Sequence, residues 1–216
     1  MHYYRKADQI MSVYDLKIKS IDGQEDLLSS VAGKVCLFVN IASKAGYDPK
    51  CSKVWSHART MRQFWELQQL HELFGEDFSV VGFPCNQFYG MEPLDNEQIS
   101  AFIKETYPFV NFPITEKIDV NGPNEHPVYT YLKGPETRRK DDNKADTSAA
   151  ANAGQNLANQ AISRIPSNFE KIIVSREGQH VMRFRFTNWP MADESLINES
   201  DLTIKDAIKM LIPDKN

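Results

Sequence analysis

Long apolar runs are missing from this chain. The longest uninterrupted one spans only Val35 to Val39, whereas a helix needs about 20 apolar residues to cross a bilayer, so a membrane-spanning helix is excluded. Cysteine is scarce as well. The three residues, Cys36, Cys51 and Cys85, are odd in number and scattered, which argues against a disulfide framework and a cysteine-rich zinc site. Neither sign of charge prevails: 25 basic against 29 acidic residues leave a net charge of -4. That balance gives no electrostatic reason to expect nucleic acid or anionic lipid as a partner. Residues 1–10, MHYYRKADQI, lack the apolar stretch and small-residue cleavage site of a secretory signal, and the expectation is a cytoplasmic protein. The histidines show no spacing that suits a metal ion. What is present is ordinary globular material, 216 residues with 41% apolar and 25% charged, enough to bury one sizeable core.

Tyr14, Leu16 and Ile18 alternate with Asp15, Lys17 and Lys19 and run into Asp22-Gly23, which predicts an N-terminal strand leading into a hairpin turn. Lys34 to Ile41 and Phe78 to Phe83 are short, nearly continuous, β-branched and aromatic runs, the pattern of strands buried on both faces. Between them, Asp48 as a cap and Pro49 in the first helical position predict a helix start. Trp55, Ala58, Met61 and Trp65 then recur at helical spacing, with Phe64, Leu67 and Phe74 widening the stripe. A second helix is expected from Asp95, with Gln98 completing a capping box and Ile99, Phe102 and Ile103 on the buried face. A strand at Ile114 to Val120 follows. Phe169 to Ser175 and His180 to Phe186 read as a hairpin, and Ile204, Ala207, Ile208 and Leu211 as a closing helix. This order, βαβ and then ββα, predicts an α/β fold: a thioredoxin-like mixed sheet with flanking helices and an N-terminal strand/hairpin addition. Residues 134–163 pass from a charge block into an Ala/Asn/Gln tract with almost nothing to bury, so a flexible insertion is expected within a single domain of residues 1–216.

Several segments carry a resemblance to the glutathione peroxidase family. Asn40 to Gly46 (NIASKAG) resembles the family's strand-end motif and Gly82 to Phe88 (GFPCNQF) its most recognisable block. Met91-Glu92-Pro93 stands where a QEP-type element follows, Val120 to Tyr129 (VNGPNEHPVY) is similar to a further family segment, and Ser167-Asn168-Phe169 occupies the place of a WNF element. The likeness runs in order through residues 12–133 and 164–186. It implies a thiol or selenol peroxidase, in which a cysteine or selenocysteine at a strand-to-helix junction attacks a hydroperoxide. A glutamine side chain, a tryptophan indole and an asparagine side chain complete the family's donor set. It also implies a hydroperoxide substrate, no bound cofactor, and glutathione or a thioredoxin-type protein as thiol donor if the chain turns over.

On this sequence the four positions are Ala45, Met91, Ser167 and Asn168, and only the last keeps the family's residue. Alanine carries no heteroatom, so no sulfenate can form at position 45. A thioether accepts weakly and donates nothing where a carboxamide would donate, and a serine hydroxyl is far shorter than an indole. Loss of a nucleophile alone costs on the order of a million-fold in rate. The resolving cysteine of many thiol-type members is missing too, since Ala101 to Pro108 contains none. The expected result is activity lost or very low, with a binding or regulatory role. The alternative is a relocated thiol peroxidase using Cys51, with Cys85 as a possible second thiol. As the third residue of a helix capped by Asp48, Cys51 would sit near the dipole and beside Lys50 and Lys53, all of which favour the thiolate. Cys85 lies in the best-matching motif, and Cys36 falls within an apolar strand, where an inert thiol is expected.

Overall fold

The computed structural model describes residues 12–47, 56–133, 164–192 and 202–212. Among these, β1 (Val35–Ile41), α1 (His57–Leu73), β2 (Phe78–Pro84), α2 (Asn96–Thr106), α3 (Pro127–Lys133), β3 (Lys171–Val174), β4 (His180–Phe184) and α4 (Ile204–Lys209) follow one another along the chain. The four strands form one sheet in the order β2-β1-β3-β4. β1 runs parallel to β2, with Val39 opposite Gly82, and antiparallel to β3, with Val39 opposite Lys171. β4 closes the sheet as the antiparallel partner of β3.

Alternation along β1 divides the core in two. Val35, Leu37, Val39 and Ile41 pack into one cluster with Phe64 and Leu67 of α1, Ile99 and Ile103 of α2, and Ile204 and Ile208 of α4. Cys36 and Phe38 point into the other, with Val128, Tyr129 and Leu132 of α3 and with Leu28 and Val31 of a 3-10 turn at Leu27–Val31. A sheet covered on both faces has no solvent-facing side, so the strands under that cover need no polar alternation. All seven residues of β1 and of β2 are buried. This is the thioredoxin-like mixed sheet expected from the order of elements.

The structure departs from the sequence reading in four places. No strand forms in the Tyr14–Ile18 stretch: Ser12 caps a 3-10 turn over Val13–Asp15, and pairing in this segment is limited to an isolated bridge between Ser20 and Thr115. The Tyr14 hydroxyl bonds the carbonyls of Lys34 and Ser175, so Tyr14 anchors to the sheet through its tip rather than its backbone. The turn at Asp22-Gly23 does form, with Gly23 at φ +84. Ile114 to Val120 is likewise no strand. It runs beside β2 through scattered bonds, Thr115 N–H to the Gly82 carbonyl and Ile118 N–H to the Pro84 carbonyl, and Pro113 has no N–H with which to extend a ladder. Third, α1 starts at His57 with Ser56 as its cap, the Ser56 side chain accepting from the Arg59 N–H. Fourth, its buried face is Thr60, Gln63, Phe64, Glu66, Leu67, Gln68 and Leu70, while Ala58 and Trp65 are exposed. Four of those seven residues are polar, which hid the face from a hydrophobicity pattern. Asp48, Pro49, Cys51, Trp55 and the segment 134–163 lie outside the described residues. The α2 capping box, the hairpin of β3 and β4 and the closing helix match the expectations.

Candidate functional site

The carboxyl ends of β1 and β2 lie side by side, and β3, running the other way, begins at the same edge. Three segments therefore meet there: residues 42–47 after β1, residues 85–92 after β2, and residues 167–170 before β3. Loops at the carboxyl edge of such a sheet are the usual place for a site.

Buried polar side chains fix the three segments to one another. Asn40 uses its whole amide on the third: Nδ2 donates to the Ser167 carbonyl at 2.8 Å and Oδ1 accepts the Glu170 N–H at 3.1 Å, while its own carbonyl accepts the Phe169 N–H at 2.7 Å. These three bonds hold Phe169 at φ +62, a left-handed conformation that an aromatic residue rarely adopts. Glu92 joins the first two segments. Its carboxylate accepts the Ser43 backbone N–H and, at 3.0 Å, the Ser43 hydroxyl, and its own N–H is held by Asn86 Oδ1 at 2.9 Å. Burial raises this carboxyl from 4.5 to about 7, and the Ser43 bonds oppose the rise. The Tyr107 hydroxyl ties the Ser43 carbonyl to α2 at 3.0 Å.

Within this frame Ala45 is fully buried and shares a cluster with Met91. Its carbonyl accepts the Thr60 hydroxyl of α1 at 2.7 Å. The next residue, Gly46, has φ +82, and a Cβ there would lie 2.3 Å from the backbone of Ser56 and His57. Chain and helix start touch backbone to backbone at this point. Asn168 Nδ2 donates to Met91 Sδ at 3.5 Å, and both residues are buried. The Asn168 Oδ1 has no partner among the described residues. Ser167 turns away from this pair: its hydroxyl donates to Glu170 Oε1 at 3.1 Å, on a buried carboxylate that also binds Arg183 and the Phe186 N–H. Its one donated hydrogen bond is thus already in use. Of the four sequence-predicted positions, the structure brings Met91 and Asn168 into contact, sets Ala45 in the same cluster, and aims Ser167 elsewhere.

The thiols do not join them. Cys85 follows β2 and packs in the opposite cluster from Ala45 and Met91, with its Sγ 3.7 Å from Gln87 Oε1. Burial pushes its thiol above the usual range. Cys36 is fully buried and pushed up to about 12 by burial, as expected of an inert thiol. Cys51 lies outside the described residues, six positions before the first residue of α1. A cavity of about 420 Å³ lined by Asn86, Glu116, Lys117, Ile118, Asp119, Asn124 and His126 shares none of the four positions. Among the described residues no cluster of His, Cys, Asp and Glu could hold a metal ion, and no helix is long and apolar enough to cross a membrane.

Sequence reasoning passed over Asn40, Glu92 and Lys171. The first two stood inside quoted motifs, where nothing local distinguishes a buried clamp from a surface polar residue. Lys171 is fully buried, donates to the Phe169 carbonyl at 2.9 Å, and is lowered to about 7 by burial. A lysine opening a strand carries no signal of such burial.

Comparison with known proteins places this geometry. The family described as glutathione peroxidase matches residues 13–133. The glutathione peroxidase-like peroxiredoxin 2 of Saccharomyces cerevisiae is 36% identical over 174 residues, covering 80% of this chain and 86% of the yeast protein. The glutathione peroxidase homolog BsaA of Bacillus subtilis is 34% identical over 175 residues, covering 81% and 88%. Among solved structures, the apo form of Trgpx aligns with a TM-score of 0.54 at 28% identity, covering 94% of this chain and 99% of the other.

Proposed function

Since the chain belongs to the glutathione peroxidase family, we infer that it keeps the family's scaffold without the family's chemistry at position 45, and that its role is binding or regulation. The observation that carries this reading is the buried methyl of Ala45 in the segment after β1. Peroxide reduction by the family route needs a thiolate or selenolate that becomes oxidised and is reduced again, and a methyl group can do neither. The surroundings point the same way. Met91 receives the Asn168 amide hydrogen instead of offering a hydrogen itself, and Ser167 is bonded to Glu170. Cys36 and Cys85 are buried thiols with raised pKa values, poor in the thiolate that attacks peroxide.

The test is single-turnover consumption of hydrogen peroxide by the reduced protein, beside Cys51→Ser. Consumption at the rate of free cysteine in both proteins is the expected result. Rapid consumption that Cys51→Ser abolishes overturns the reading in favour of a thiol peroxidase relocated to Cys51, with glutathione or a thioredoxin-type protein as the donor to be sought. Rapid consumption that survives Cys51→Ser overturns it as well, and points to Cys85 or to a group other than thiol.

A further inference from the structure

Met91 and Asn168, which stand at two positions of the family's donor set, are in direct contact. The methionine is 6% exposed and its sulfur receives the Asn168 Nδ2 hydrogen at 3.5 Å. Asn168 is 4% exposed, and its Oδ1 is a buried acceptor to which nothing among the described residues donates. An amide oxygen left unpaired inside a protein is costly, and such an orphan marks a place for an O–H or N–H donor arriving from outside. Here the orphan sits on the same amide that grips an oxidisable sulfur.

We propose that Met91 is an oxidation site for small hydroperoxides, oriented by Asn168, which undergoes one stoichiometric conversion to the sulfoxide. A lone pair on Sδ attacks one oxygen of the peroxide, the S–O bond forms and the O–O bond breaks. The proton on the attacked oxygen passes to the leaving oxygen. Thioether and hydroperoxide thus give sulfoxide and water, or an alcohol from an organic peroxide; sulfur is oxidised, peroxide is reduced, and no other reactant is needed. Asn168 serves as a positioning residue. Its Oδ1 accepts the peroxide O–H, and its Nδ2–H passes from the thioether to the new sulfoxide oxygen, a far better acceptor. An interaction that strengthens as the bond forms is the kind that accelerates a reaction. The tight turn before Met91, with Tyr89 at φ +56 and Gly90 at φ +64, and the Glu92 anchor immediately after it hold the sulfur in place.

This inference rests on the reading that no catalytic thiol removes the peroxide first. It is tested by treating the native protein with a few equivalents of hydrogen peroxide, quenching with catalase, and following each methionine by peptide mass spectrometry. Met91 is expected to oxidise about tenfold faster than Met210, although Met210 is 76% exposed. In urea the two rates should converge to within about twofold, as two unstructured thioethers must. Asn168→Ala should remove the advantage of Met91. Should that variant not fold, the native-against-urea comparison in the unaltered chain decides alone. Slower oxidation of Met91 than of Met210 in the native protein overturns the proposal. The same measurement on Cys51→Ser separates the two claims: rapid turnover lost there with Met91 still oxidised overturns the functional reading and supports this one, whereas absent turnover with Met91 untouched does the reverse.

Discussion

Ser43 gives both its backbone N–H and its hydroxyl to the carboxylate of Glu92, a residue with no exposed surface. The bond crosses from the loop after β1 to the loop after β2, two residues from Ala45 on one side and adjacent to Met91 on the other. This pair ties the loop that carries position 45 to the loop that carries position 91.

A pH dependence of stability follows from its burial. The Glu92 carboxyl is raised from 4.5 to about 7 by desolvation, so between those values the folded state binds more protons than the unfolded one. Its contribution is complete below the unfolded value of 4.5 and is lost as the pH rises through about 7. The slope it contributes is at most about 1.4 kcal/mol per pH unit. Glu92→Gln should flatten stability across this window, as read by urea denaturation at several pH values. An unchanged slope contradicts the assignment. Lys171, lowered from 10.5 to about 7, acts in the opposite sense at higher pH, and Lys171→Met is the matching variant there.

Asn40 is the second clamp. Asn40→Ala strands the Ser167 carbonyl and the Glu170 N–H in the interior, which should cost about 2–3 kcal/mol in denaturation measurements. Asn40→Asp keeps the acceptor and loses the donor, so it should be destabilised as well. Neutral substitutions at both would show that the segment before β3 is held by something else.

How much of this was legible in sequence depends on which force set each element. β1 and β2 were readable because both their faces are apolar, and α2 because its capping box is a local motif. The α1 face was not, because Gln63 and Gln68 are buried through bonds to the Phe186 carbonyl and Asn111, partners far along the chain. Tyr14 to Ile18 alternated like a strand, yet the Ser12 cap sets a 3-10 turn over Val13–Asp15 instead. At the site, Ala45, Met91 and Asn168 were located by motif, and the structure adds that Ser167 is turned toward Glu170. The clamps Asn40 and Glu92 could not be recognised because their role lies in long-range partners.

Restoring sulfur should restore only part of the chemistry. Ala45→Cys is expected to consume about one equivalent of peroxide, with sulfenate trapped by dimedone. Adding Met91→Gln should raise that rate by about 100-fold, the usual worth of one donor aimed at developing charge. Equal rates in the two variants would show that position 91 no longer faces position 45.

Thiol accessibility supplies a further check. Cys36 and Cys85 are buried with raised pKa values, so iodoacetamide at neutral pH should leave both unmodified in the native protein and alkylate both in urea. Rapid native labelling of Cys85 contradicts the placement of its sulfur in the closed half of the core.

Asn40, Ser43, Glu92 and Glu170 tie the three loops together, whereas on the proposed reading positions 45, 91 and 167 are those where the family's reacting residues are replaced. Since different residues bear the two duties, selection on catalysis can lapse without the architecture collapsing. A lineage can lose its reagent and still inherit the vessel.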